Sequence, residues 1–134
     1  MITLEQLPLV AIPEMNDIHF EEIELINKLE KAARSLEPVI VIEALQEFLE
    51  HTTAHFAKEE EMMQAVNYPD FNPHKAEHDR HLKEIASSIR YVKENQAPKA
   101  VSAYVEGSLA PWVKHHIGTM DTQAALFIQE HTTR

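Results

Sequence analysis

At 134 residues and a formal charge of -10, the chain has the size of one domain and is too acidic to displace counterions from nucleic acid or to settle on an anionic membrane. The absence of cysteine excludes disulfides, thiolate metal sites, iron–sulfur clusters and cysteine nucleophiles, and agrees with a reducing, cytoplasmic setting. Only two glycines and an abundance of Glu, Ala, Leu and Ile point to an all-α protein.

The N-terminal stretch MITLEQLPLVAIPEMND carries acidic residues and no basic segment ahead of a long apolar run. Neither a secretory leader nor a membrane span is expected, and this stretch is read as a short arm. Prolines and turn residues then divide the chain. A first helix is predicted over about 16–36, capped by Asn16 or Asp17, with a stripe of His19, Ile23, Ile26, Leu29 and Ala33. A second runs over about 38–66, with Pro38 in its first turn. Its stripe steps by four and three through Val41, Leu45, Phe48, Thr52, His55, Glu59, Met62 and Val66.

The NYPDFNP stretch is a break, and a third helix follows over about 73–95, with His74, His78, His81, Ile85, Ser88 and Val92 in line. The fourth is predicted over about 99–117, with Val101, Val105, Leu109, Trp112 and His116 inward and with Gly107 and Pro111 interrupting it. Amphipathic helices with short connections make an antiparallel up-down-up-down four-helix bundle, one domain over residues 1–134.

The nine histidines are roughly threefold more than average usage. His19, His55, Glu59, His74, His78 and His116 stand on inward stripes, where unpaired imidazoles and carboxylates cost several kcal/mol. A metal satisfies such groups together. His55–Glu59 and His74–His78 are four apart, one turn on a single face. His116 and Asp121 are five apart, which a straight helix splays, and Gly118 between them is expected to relax the backbone. Five histidines and two carboxylates exceed one tetrahedral zinc and suit two metals bridged by the carboxylates. No histidine has Glu three residues before it, unlike the Glu-x-x-His of ferritin-like bundles. His51, His81, His115 and His131 read as solvated or supporting residues, Glu60 and Glu61 as a solvated face, and Met62 and Met63 as packing.

The order MNDIH (15–19), HFAKEE (55–60), YPDFNPHKAEH (68–78) and WVKHHIGTMD (112–121) resembles the bacterial hemerythrin family over nearly the whole chain. The resemblance implies that His74, His78 and His116 bind one iron, that His19 and His55 bind the other, and that Glu59 and Asp121 bridge them beside an oxo or hydroxo group. It implies reversible dioxygen binding at the iron with two histidines, for carriage or storage. Departures from the family pattern are Asn16 in place of a common Asp, Val113 in place of a frequent Leu, Pro111 in the fourth helix, and no tryptophan near the N-terminus.

Two other classes stay open. One is a di-iron peroxidase or oxidase, which needs a proton donor near the open iron; His51, His81 or Tyr104 could be offered. The other is an oxygen sensor or iron-handling module, which usually carries a fused signalling domain for which 134 residues leave no room. Dioxygen is the expected partner, with no nucleic acid and no membrane. The binding reading is preferred because no acid or base stands out beside the ligands.

Overall fold

The computed structural model describes residues 7–132. The chain is all-α and forms an antiparallel four-helix bundle of α1 (Pro13–Arg34), α2 (Pro38–Ala65), α3 (Phe71–Asn95) and a fourth helical stretch over 99–132. Among the described residues there is no strand, and no helix is long and apolar enough to cross a membrane. The first six residues of the arm, where the absence of a leader was also read, lie outside the described residues.

The helix starts differ from expectation. Pro13, not Asn16 or Asp17, opens α1, and Ile12 precedes it without any side-chain cap. Proline suits this first turn because its missing N–H would have no helical partner there. Asn16 turns back instead: its Oδ1 accepts from the Val10 N–H and its Nδ2 donates to the Val10 carbonyl, both at 2.9 Å. It therefore ties the arm to α1. The third helix begins two residues before Pro73, at Phe71. The connections enter the left-handed region at Leu36 (φ 59°), Asn67 (φ 53°) and Gln96 (φ 49°), a job glycine usually takes.

The fourth helix is the larger correction. It does not stop near residue 117 but continues to Thr132. Regular helix over Lys99–Tyr104, Ala110–His116 and Thr122–Thr132 alternates with wide π turns at Val105–Leu109 and Ile117–Asp121. Pro111 sits in the first turn after the first wide turn. Its absent N–H thus falls where the hydrogen-bond ladder already changes step, and the helix carries on.

The bundle has two halves. One is apolar, packed from Ile23, Ile26 and Leu29 of α1, Val41, Leu45 and Phe48 of α2, Ile85 and Val92 of α3, and Val101, Val105 and Leu109 of the fourth helix. Side chains of this kind contribute about 1.5–3 kcal/mol each when buried. The other half holds the inward histidines, and beyond them a small cluster of Met63, Tyr68, Ala124 and Ile128 closes that end. The apolar half supplies the stability that lets the other half bury polar groups.

Candidate metal centre

All seven residues expected at the site are buried and meet in this second half. α1 brings His19, α2 brings His55 and Glu59, α3 brings His74 and His78, and the fourth helix brings His116 and Asp121. On a regular helix His116 and Asp121 would point about 140° apart. The π turn at Ile117–Asp121 takes up the extra residue and returns Asp121 to the face of His116. Gly118 plays a different part from the one expected. Its backbone is not left-handed, and a Cβ there would meet Pro8 Cγ at 3.3 Å. It makes room for the arm.

The two carboxylates each face two ways. Glu59 Oε2 lies 2.6 Å from His55 Nε2 and 3.3 Å from His19 Nε2, while its Oε1 lies 3.3 Å from His78 Nε2. Asp121 Oδ1 lies 3.0 Å from His74 Nε2 and 3.1 Å from His116 Nε2, while its Oδ2 lies 3.2 Å from His19 Nε2. The donors thus sort into two groups within 4.8 Å, one of Glu59, His74, His78, His116 and Asp121 and one of His19, His55 and Glu59.

Several of these atoms are close without being hydrogen-bonded. Glu59 Oε1, Asp121 Oδ2, His78 Nε2 and His116 Nε2 are buried and have no hydrogen-bond partner. Leaving such atoms orphaned costs about 1–3 kcal/mol each. Lone pairs converging at these distances call for positive charge between them, and a cation supplies it. The electrostatics agree. Burial alone would push His19 down, but the carboxylates of Asp121 and Glu59 beside it overcome that and hold it up at about 9. His55 and His116 are raised against burial in the same way, by Glu59 and Glu22 and by Asp121. Burial drives Asp121 and Glu59 upward, yet the histidines hold both below the ordinary carboxylate range. The cluster favours positive charge, whether as protons or as metal.

Outside this ring, carboxylates aim the imidazoles. His55 donates from Nδ1 to Glu22 at 3.1 Å, and His78 from Nδ1 to Glu60 at 2.9 Å. Donation from Nδ1 fixes ring orientation and turns Nε2 to the centre. Glu60 was expected on a solvated face and instead reaches inward; Glu61 is exposed. Sequence reasoning missed Glu22, although it follows His19 by three residues and so shares its face. His81 is buried and stacked on Trp112 at 4.0 Å between centroids. The expectation that no acid or base stands beside the ligands is therefore corrected by Glu22 and His81. His51 pairs with Glu21 at 3.3 Å near the surface, and His115 and His131 are exposed. Met63 packs in the core, as expected. A crevice of about 200 Å³ between α1 and α2, lined by Ile18, Glu21, His51, Ala54, His55 and Lys58, borders the two-histidine group.

A four-helix bundle that buries a histidine–carboxylate cluster of this kind is a cation-binding architecture. The chain belongs to the hemerythrin family: the description "Hemerythrin HHE cation binding domain" matches residues 10–125. Among curated proteins it is similar to a bacteriohemerythrin of Stenotrophomonas maltophilia, 30% identical over 122 residues, covering 91% of this chain and 78% of that protein. A bacteriohemerythrin of Aquifex aeolicus is 29% identical over 111 residues, 83% of this chain and 85% of that one. One of Pseudomonas aeruginosa is 28% identical over 112 residues, 83% and 71% respectively.

Proposed function

We propose that the protein holds two irons and binds dioxygen reversibly. The observation that carries this reading is the division of each carboxylate: one oxygen of Glu59 and of Asp121 faces the three-histidine group, the other the two-histidine group. His74, His78 and His116 would hold one iron, His19 and His55 the other, with Glu59 and Asp121 bridging. When bound, such a pair would supply two electrons, one from each iron, for taking up a small molecule. The names of the similar proteins support the same reading.

The protein's own contribution is positioning and exclusion. Glu22 and Glu60 keep His55 and His78 in one tautomer and one orientation. Phe56 lies flat on His78 at 3.8 Å between centroids and blocks that imidazole from swinging. Val113 and Ile117, on either side of His116 along the fourth helix, add buried apolar surface next to it. Keeping bulk water from the site favours release of neutral dioxygen over loss of a charged, reduced product.

The test is metal analysis after iron-replete expression, followed by spectra of the reduced protein through cycles of air and vacuum. Two irons per chain and a colour that forms and fades over several cycles are expected. One zinc, or no metal, would overturn the di-iron centre. Peroxide or oxidised product released stoichiometrically at each exposure would replace reversible binding with an enzymatic reading.

A further inference from the structure

Three buried polar side chains next to the centre take no part in the proposed ligand set. Each lies one helical turn from a residue of the site, displaced toward the apolar half. Glu22 follows His19 on α1, Thr52 precedes His55 on α2, and His81 follows His78 on α3. Because neighbouring helices run in opposite directions, these displacements bring the three into one layer. His81 is 1% exposed and Thr52 is fully buried, yet His81 Nε2 and Thr52 Oγ1 have no hydrogen-bond partner. A chain that needed only packing here would place apolar side chains, as it does one layer further on with Ile26, Phe48 and Ile85. Two orphaned polar atoms in one layer beside a small-molecule site, each able to donate, point to a ligand that accepts from them.

We propose that His81, supported by Thr52 and Glu22, is the hydrogen-bond donor to the small molecule taken up at the centre, making this layer a polar subsite for a dioxygen-sized or small anionic acceptor. The inference rests on the proposed function and deepens it. The His81 ring is fixed for the task. It lies within 14° of parallel to Trp112, which in turn lies within 14° of parallel to His116. Burial lowers His81 to about 4, with the Glu22 carboxylate opposing, so the imidazole is neutral and carries one N–H, which the proposal puts on the unpartnered Nε2. Glu22 is held in place by His55. His81 is thus a binding residue, touching the small molecule by hydrogen bonding without exchanging atoms with it.

Sodium azide, a triatomic acceptor, is the probe. Iron-loaded oxidised protein is titrated with azide and followed by its visible charge-transfer absorption, for the natural chain, His81→Phe, His81→Gln and Thr52→Val. Phenylalanine keeps the ring over Trp112 and removes the donor; glutamine restores an N–H. His81→Phe is expected to weaken azide about tenfold, Thr52→Val about threefold, and His81→Gln much less than His81→Phe. Iron content should stay at the natural level throughout. The melting temperature of metal-free His81→Phe should equal or exceed that of the natural chain, because an unpartnered buried N–H has gone. Equal azide affinity in all four proteins, with iron retained, overturns the subsite while leaving the di-iron centre standing. Loss of iron from the natural chain itself would instead defeat the proposed function. Should the ring exchange disturb the fold, Thr52→Val decides alone, and an unchanged azide affinity in it counts against the subsite.

Discussion

Glu22 Oε2 stands 3.1 Å from His55 Nδ1, and on the far side of the same ring His55 Nε2 stands 2.6 Å from Glu59 Oε2. One imidazole is thus held between a carboxylate of the site and one behind it, on a different helix. Removing the rear carboxylate by Glu22→Ala should lower metal affinity about ten- to hundredfold, without removing a proposed ligand. Competition against a chromophoric chelator measures this. Affinity equal to that of the natural chain would mean that packing alone orients His55.

The second helix offers two histidines one turn apart, and the structure separates them. His55 is buried, whereas His51 pairs with Glu21 at the surface. His55→Ala should abolish the paired centre and reduce iron below two per chain, while His51→Ala should leave the iron content unchanged. Metal analysis of both variants checks the pair, and the opposite pattern would displace α2 by a turn in the assignment.

His81 predicts a response to acid. Burial lowers it from 6.5 to about 4. The groups that bear on it are Glu22 from α1, His78 and Arg80 from α3, and His116 from the fourth helix, with uncharged Phe56 facing it from α2. A histidine whose folded value is depressed stabilises the fold above its unfolded value of 6.5 and loses that contribution as pH falls toward 4. The full effect is bounded by roughly 3 kcal/mol. His81→Phe should therefore gain in relative stability as metal-free protein is taken from pH 7 to pH 4.5. Urea midpoints of the two proteins across that range provide the measurement; profiles that stay parallel would show that His81 does not titrate in the fold's stability.

Gln96 closes α3 in the left-handed conformation, φ 49° and ψ 42°, with its N–H donated to the Val92 carbonyl. A side chain there costs about 1 kcal/mol that glycine avoids. Gln96→Gly should raise stability by about 0.5–1 kcal/mol after the greater freedom of the unfolded chain is set against it. A chemical melt at neutral pH measures it, with unchanged iron content as the control. Destabilisation would mean that the Gln96 side chain itself holds the turn.

Much of this was legible in the residues. The alternation of four and three along α2 and α3 fixed which faces turn inward, and polar residues on those faces located the site. What escaped was governed by geometry that spacing alone does not encode. The α1 start was misplaced because Asn16 has a use other than capping, in tying down Val10. The fourth helix was cut short near residue 117 because Gly118 is read as loosening the backbone there, whereas the wide turn at Ile117–Asp121 carries the helix through to Thr132. Glu22 and Glu60 were passed over because a carboxylate is ordinarily assigned to solvent, and only the packed positions of His55 and His78 give them inward partners.

The wide turn between His116 and Asp121 amounts to one surplus residue housed in an otherwise regular helix, with Thr122 Oγ1 donating to the Ile117 carbonyl at 2.7 Å across it. Take that residue away and the segment can close as ordinary helix, leaving histidine and aspartate four apart and still on one side, with everything downstream in phase. Length at this point is therefore interchangeable with backbone pitch. A chain of this architecture can gain or lose a position between these two residues without giving up either, so a gap falling there in a sequence alignment marks a change of winding and not the loss of the centre.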